Sequence, residues 1–336
     1  MATIKDVARE AEVSTATVSA VINDSAYVSP ALRARVLSAI DALGYAPSQV
    51  ARNFKHGRSQ LIALVVADLA NPFYSRLVWA AEADVSAWGY SLVVFNSDEK
   101  PDNEKRILSR VRMLGCDGVL LVPVGDEDHY PVRDTRRWPP TVLYGRSFNR
   151  DNMDTVTLDN HEAARLATNY LLDLGHRRIG SIAAPTHLNT GRDRLAGMID
   201  AMAARGVTPR PEHIRSGDFR EQMAYSVARE MLKQPDRPSA LYVANGLMAL
   251  GVMRALSDLG LRCPEDISIV STDTVSGPGG LRPQLTRTEH PLEEMTYEAL
   301  RLLVDRIQHG NSRPPGNVVF TPSLVLGDSC APATDG

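Results

Sequence analysis

Between Thr3 and Asn23 the apolar residues recur at helical spacing in two short stretches: Ile4, Val7, Ala8 and Ala11, then Val13, Val18, Val21 and Ile22. Each set would form one buried stripe, so the pattern predicts two short helices separated at Glu12 and Val13. Thr3 with Asp6 has the form of a capped start, and Ser14, three residues before Thr17, caps the second helix. Thr15, Ala16, Thr17, Ser19 and Ala20 are left for its outer face. Ser29-Pro30, the spacing of Leu32, Val36, Ile40 and Leu43, and the stop at Gly44 predict a third helix. Small side chains on the leading turn of the second helix would let its backbone sit deep in a DNA major groove, with phosphates near its N-terminus. Taken alone, this pattern fits any three-helix cap equally well. After Tyr45-Ala-Pro47 comes a segment of one or two helical turns, residues 48–55, and then polar His56-Gly-Arg-Ser59, which reads as a hinge.

From Leu61 short apolar runs alternate with helical stretches. Strands are expected at residues 61–67, 91–95, 118–122 and 141–144, with a helix from Asn71-Pro72 to near Trp88-Gly89. A second series follows: helix 162–174 stopped by Gly175, strand 179–183, helix 192–205, a strand near Ile214, helix 221–232, strand 240–243, helix 247–259 and strand 267–271. Residues 285–289 are expected to cross back to the first lobe before a helix at 292–308. Such alternation predicts parallel sheets covered on both faces. One large doubly wound enzyme domain would also satisfy it.

A chain of 336 residues exceeds one ordinary core, and 43% hydrophobic with 23% charged residues is ordinary for a globular protein. No apolar run approaches the length needed to span a bilayer, and Met1-Ala-Thr-Ile-Lys-Asp lacks the apolar stretch of a signal peptide, so the expectation is a cytoplasmic protein without a membrane partner. Cys116, Cys263 and Cys330 are far apart, lack metal-ligand spacing, and read as reduced structural thiols. The net charge of -3 is uneven: residues 1–60 carry seven Lys/Arg against five Asp/Glu. This weak bias leaves any nucleic-acid role resting on motif and hydrogen-bonding groups rather than on charge.

Enzyme signatures are missing. There is no G-x-G-x-x-G or G-x-x-x-x-G-K-[ST] loop between strand and helix, and no G-x-S-x-G elbow. Gly277-Pro-Gly-Gly280 reads as a turn, His161-Glu162 has no second His at metal spacing, and His176 is expected to pack or cap at the Gly175 turn. No catalytic residue, metal or cofactor is expected.

The first sixty residues resemble the lactose-repressor (LacI/GalR) family. The matching text is Ala2-Thr-Ile-Lys-Asp-Val-Ala8, Val13-Ser, Ala16-Thr-Val-Ser19, Asn23, Val28-Ser, Leu43-Gly-Tyr45, Pro47 and Ala51-Arg52. It continues through Asn71-Pro-Phe73, Leu174-Gly-His-Arg-Arg-Ile179, Arg194-Leu-Ala-Gly197, Arg237-Pro-Ser-Ala240, Ala249-Leu-Gly251 and Pro264-Glu-Asp-Ile-Ser268. The resemblance implies an α/β fold: a helix-turn-helix head at residues 1–46, a hinge helix and linker at 47–60, and a two-lobed core at 61–336 like the periplasmic sugar-binding proteins, built from doubly wound parallel sheets. Lobe one would hold about 61–160 and 290–321, lobe two about 161–289 and 322–330. The implied function is a dimeric regulator of transcription, most simply a repressor, on a palindromic double-stranded operator and controlled by a small-molecule effector. A carrier protein of the same core, or a metabolic enzyme on an α/β scaffold, is the competing reading. Residues 327–336 offer no leucine heptads and look frayed, which argues for a homodimer over a coiled-coil tetramer.

Through this resemblance Thr15, Ala16 and Ala20 become base-reading positions. Ala20 departs from the Arg or His of many members, so readout there should be weak or favour A·T. Ser14, Thr17, Asn23 and Tyr45 become phosphate-bonding candidates. Val50, Ala51, Phe54 and Lys55 match the minor-groove element, with Phe54, usually Leu, as the wedge between base steps. Effectors of open α/β lobes bind beyond the carboxyl ends of strands. The residues at such ends are Asn71, Phe73, Asn96, Asp98, Arg146, Asn245 and Asp273, and the resemblance adds Arg194 and Phe219. An aromatic face with Asp, Asn and Arg suits a sugar. Gly246 and Gly145 stand where the family often has Asp, which would tilt the pocket positive and favour a sugar acid or sugar phosphate slightly over a neutral sugar, with a nucleobase or another metabolite left open.

Overall fold

The computed structural model describes residues 2–45, 58–125, 138–148, 153–273, 282–310 and 312–333. The chain divides into two compact units, Met1–Gln60 and Leu61–Gly336. Within the first, α1 (Ile4–Glu10), α2 (Thr15–Asn23) and α3 (Pro30–Leu43) close on a miniature core of Val7, Ala8, Ala11, Val18, Val21, Val36 and Ala39, with Ile4, Val13 and Ile22 packed against it. The periodic positions of α1 and α2 thus line the core, whereas in α3 Val36 is buried with Ala39, and Leu43 is exposed.

The larger unit holds two sheets. Lobe one contains β1 (Leu61–Val66), β2 (Ser91–Asn96), β3 (Gly118–Leu121), β4 (Thr141–Tyr144), β5 (Asp154–Leu158) and β11 (Asn317–Phe320), in the order β11-β5-β4-β3-β1-β2 with all pairs parallel. Side chains alternate across its faces. Ile62, Leu64 and Val66 of β1 face α4 (Pro72–Ala87) and α10 (Leu292–His309), while Ala63 and Val65 face α5 (Pro101–Leu114). Each such large aliphatic removed from water contributes about 1.5–3 kcal/mol. This double covering is why β1 reads as a continuous apolar run.

Lobe two repeats the scheme with β6 (Ile179–Ala183), β7 (Ile214–Ser216), β8 (Ala240–Val243), β9 (Ser268–Thr272), β10 (Thr286–Glu289) and β12 (Ser323–Val325), ordered β12-β10-β9-β8-β6-β7. All its pairs are parallel except β12 against β10. Helices α6 (Asn160–Asp173) and α7 (Asn189–Ala204) cover one face, and α8 (Glu221–Leu232) and α9 (Gly246–Asp258) the other. Residues 285–289 were expected to cross between lobes, but Thr286–Glu289 is a strand of the second sheet, and the crossing falls at His290-Pro291. Two of its four residues are Arg and Glu, which hid the strand. The other crossings are at Asp159 and at Thr321-Pro322.

The tail also differs from expectation. Ser329 is fully buried and stitches along β9, its Oγ donating to Ile269 O at 2.6 Å while Ile269 N donates to Ser329 O at 2.8 Å. Ala331 N reaches Ser268 Oγ, Ala333 N reaches Leu174 O, and His176 Nε2 bonds Ala331 O. Small polar residues look frayed in a sequence, yet they fit flat against a strand. Among the described residues no helix is long and apolar enough to cross a membrane.

Candidate DNA-reading head and effector crevice

The head's turn is shaped by local hydrogen bonds. Thr3 and Asp6 form a reciprocal capping box, whose bonds from Thr3 hold the Asp6 carboxyl below its usual range. Helix α1 ends with Val13 N donating to Ala8 O at 2.9 Å and Glu12 N to Arg9 O at 3.2 Å, a Schellman arrangement that requires Glu12 to adopt φ +48°. Arg35 of α3 reaches across to Ala11 O at 2.6 Å and ties the turn to the third helix. Ser14 then caps α2, its Oγ accepting from Thr17 N at 3.1 Å and bonding Thr17 Oγ1 at 2.9 Å.

On the outer face Ser14, Thr15, Ala16 and Asn23 are exposed, and Thr17 and Ala20 half-buried. Asn23 Nδ2 turns back on Ser19 O at 2.8 Å, and Tyr45 packs against the head's core. Periodicity does not single out Tyr27, which is 90% exposed between α2 and α3. Its signal is an aromatic in a polar loop. Val50, Ala51, Phe54 and Lys55 lie outside the described residues.

In the core, the carboxyl ends of the strands converge on a cavity of about 50 Å³ between the lobes. It is lined by Asn71, Phe73, Arg146, Arg194, Phe219, Asn245 and Asp273 among the expected residues, and also by Asp68, Tyr74, Glu99, Tyr144, Thr190 and His290. Asn96 and Asp98 are not on this lining. Asn96 Oδ1 instead accepts from Leu69 N, and Asp98 accepts from Lys100 at 2.6 Å and from Arg220 at 3.0 Å. Both stand at a strand end but serve the loop around it. Asn71 and Asn245 each cap a helix through the side-chain oxygen, to Phe73 N at 3.1 Å and Met248 N at 2.8 Å.

Charge on the lining does not show the positive tilt expected from Gly145 and Gly246, since its arginines face carboxylates and Arg220 pairs with Asp68. Three carboxylates, Asp68, Glu99 and Asp273, face two guanidiniums, Arg146 and Arg194. Arg146, 4% exposed, is bound bidentately by Glu99 at 2.7 and 2.8 Å and lies 4.8 Å over the Phe219 ring. Burial opposes its charge, but Tyr74 and Glu99 outweigh that and raise its pKa. Arg194 donates to Asn160 Oδ1 at 2.8 Å and to Ala244 O at 2.5 Å, and burial lowers its pKa. His290 packs against Phe73, and burial, then Arg194 and Arg76, push it down to about 3, so its ring is neutral.

Two polar atoms here have no partner among the described residues: Thr190 Oγ1, on a side chain 5% exposed, and His290 Nδ1. Each would normally cost about 1–3 kcal/mol, so such orphans call for a ligand-side explanation. The lobes are clasped by Arg220 of lobe two, which donates to Asp68 at 2.9 Å and to the Asp98 carbonyl and carboxylate at 2.8 and 3.0 Å in lobe one. Asp98, Phe219 and Asp273 all have left-handed backbones, φ +57°, +54° and +73°, a conformation uncommon for such residues and concentrated at functional sites.

The head matches the model of bacterial regulatory proteins of the lacI family over residues 3–48, and the core matches a periplasmic binding protein-like domain over 168–330. An HTH-type transcriptional repressor PurR of Proteus mirabilis is 36% identical over 309 residues, 91% of each chain. The chain belongs to the LacI family. The PurR repressor of Pectobacterium carotovorum is 35% identical, covering 97% of this chain and 96% of its own. Among solved structures, the transcriptional regulator CelR in complex with cellobiose is 33% identical with TM-score 0.73, over 98% of this chain and 100% of that one. The lac repressor dimer bound to operator and the anti-inducer ONPF is 27% identical with TM-score 0.86, over 98% and 99%. This LacI-family member is therefore a DNA-binding transcription regulator with an effector-binding core, and not an enzyme.

Proposed function

We propose that this regulator is a repressor that binds a palindromic operator as a homodimer and is released by a small, uncharged, hydroxyl-rich effector in the crevice. Support for the dimer and operator comes from the lac repressor complex, and for a sugar from the CelR complex with cellobiose. The observation that carries the effector reading is the pair of orphaned polar atoms, Thr190 Oγ1 and His290 Nδ1, on a lining that also holds Phe73 and Phe219. A sugar hydroxyl donates and accepts at once, and so can satisfy both. Arg146 is held by Glu99 and Asp68 by Arg220, which leaves little uncompensated positive charge for the sugar acid or phosphate that the glycine substitutions suggested.

On the DNA side, Thr15, Ala16 and Ala20 would meet base edges, and Ser14, Thr17, Asn23 and Tyr45 the backbone, with Phe54 the minor-groove wedge beside Val50, Ala51 and Lys55. Footprinting on the promoter of its own gene should protect a palindrome, and log affinity should fall steeply as salt rises. A thermal-shift panel of neutral sugars, sugar acids, sugar phosphates and nucleobases should show stabilisation by a neutral sugar, and the same sugar should weaken operator binding. Salt-insensitive binding, or stabilisation confined to acids, phosphates or nucleobases, would contradict the proposal.

A further inference from the structure

Lobe one carries a groove of about 660 Å³ that shares no residue with the crevice cavity. It lies against α4, α10 and β11, and Trp79, Ala83, Tyr297, Val318 and Phe320 give it an apolar surface. Large side chains are left to water here: Trp79 is 71% exposed and Tyr297 49%. The Tyr297 ring is met edge-on by Trp88, the C-cap of α4, with centroids 5.6 Å apart, so it is fixed at the groove instead of sweeping through solvent. Exposed aromatics gathered in one apolar patch with a polar rim mark an interaction surface.

The rim is acidic, formed by Asp84, Glu293, Glu294 and Glu298. Two of these are satisfied within lobe one, Glu293 by Arg76 at 2.9 Å and Glu298 by Arg301 at 2.7 and 2.8 Å. Asp84 and Glu294 have no cationic partner among the described residues. Burial, with no cation to offset it, raises the Asp84 carboxyl above its usual range. A second copy of this chain is a poor occupant of such a groove. A two-fold contact sets a patch against itself, which would bring Asp84 and Glu294 up to like charges. A basic partner gains twice, by pairing with these carboxylates and by laying its cations on the faces of Trp79 and Tyr297. Helices α4 and α10, of 16 and 18 residues, run about 24–27 Å. That length suits a partner helix of about four to five turns, which would enter the groove through apolar anchors at i, i+3 and i+4.

We propose that this groove docks a coregulator protein through a basic amphipathic helix, so that the regulator answers to a macromolecule as well as to its effector. Full-length protein carrying Trp79→p-benzoylphenylalanine, irradiated in its own cells, should form a covalent adduct whose partner segment is read by mass spectrometry. The expected segment has apolar residues at helical spacing flanked by Lys or Arg. The same substitution at Met223, exposed on α8 of lobe two, should not capture it. Synthesised alone, the segment should bind the full chain with a blue shift of tryptophan emission that Trp79→Phe abolishes. Asp84→Lys with Glu294→Lys should weaken binding at least about tenfold. Asp84→Asn with Glu294→Gln should weaken it less, and provides the check if reversed charges disturb the fold. An adduct with a second copy of the chain would overturn the proposal in favour of self-association. A captured segment without basic residues, or an affinity unmoved by both pairs of substitutions, would overturn it too. So would the absence of any protein adduct, and spermidine quenching Trp79 in that case would assign the groove to a small cation.

Discussion

Thr190 shows how much one side chain can say about use. A hydroxyl that is 5% exposed and has no partner among the described residues is a cost in the effector-free protein. Thr190→Val keeps the shape and removes the polar atom, so the effector-free fold should be unchanged or stabilised by about 1 kcal/mol, while effector affinity falls by about five- to tenfold. Denaturant melts paired with calorimetry read both. A large loss of stability without effector would show that the hydroxyl is already satisfied. The same logic separates Asn96 from Asn71. Asn71 caps α4 and lines the cavity, whereas Asn96, the last residue of β2, accepts from Leu69 N and is not on the lining.

At the scale of elements, close approach explains motifs that spacing alone leaves as text. A Cβ on Gly251 of α9 would sit 2.2 Å from Glu221 O of α8, and one on Gly197 of α7 would sit 2.1 Å from His161 O of α6. These glycines let the paired helices of lobe two touch backbone to backbone. Gly251→Ala should lower stability by about 1–3 kcal/mol, since two helices must part to admit a methyl group; an unchanged melting temperature would refute the contact. Lobe one is pinned differently. Arg306 of α10 binds Asp154 of β5 at 2.7 and 3.2 Å, both side chains being buried. Burial would raise the Asp154 pKa, but Arg306 and Gly316 N outweigh it and lower the value. This pair explains why β5 starts with an acid, a feature that disguises it as a loop.

For the whole molecule the decisive contacts lie between lobes. Arg220→Ala removes the clasp to Asp68 and Asp98, partly exposed ion pairs worth about 0.2–1 kcal/mol each. Folding stability should therefore change little, yet the lobes should open, and small-angle scattering of the effector-free protein should give a larger radius of gyration than wild type. An identical scattering curve would mean the clasp does not set the closed state. Acid should act through His290, His176 and His213, all held below the ordinary histidine value chiefly by burial. Because the folded chain binds fewer protons than the unfolded one, their contribution is complete above about pH 6.5 and is lost as pH falls towards the folded values, about 3 for His290. Each can steepen the loss by up to about 1.4 kcal/mol per pH unit. Urea melts between pH 8 and 5 should show this slope, and His290→Gln should flatten it; an unchanged slope would place His290 outside the acid response.

The sequence by itself determined what depends on near neighbours. Caps at Thr3 and Ser14, the stop at Gly44 and the alternation of apolar runs with helical stripes are local consequences of residue type, and they made the head and the α/β class legible. Family resemblance then pointed to Arg194 and Phe219, which the strand-end rule cannot reach. Tertiary structure decided what depends on distant partners. β5, β10, β11 and β12 carry polar residues whose burial follows only from the strand beside them, and Ser329 is ordered only because β9 lies under it. Pocket charge went the same way. Two missing carboxylates suggested a positive site, but Asp68 and Glu99, unremarked in the sequence, are brought to the lining by folding, and the net field of a cavity belongs to every group around it rather than to any one stretch of chain.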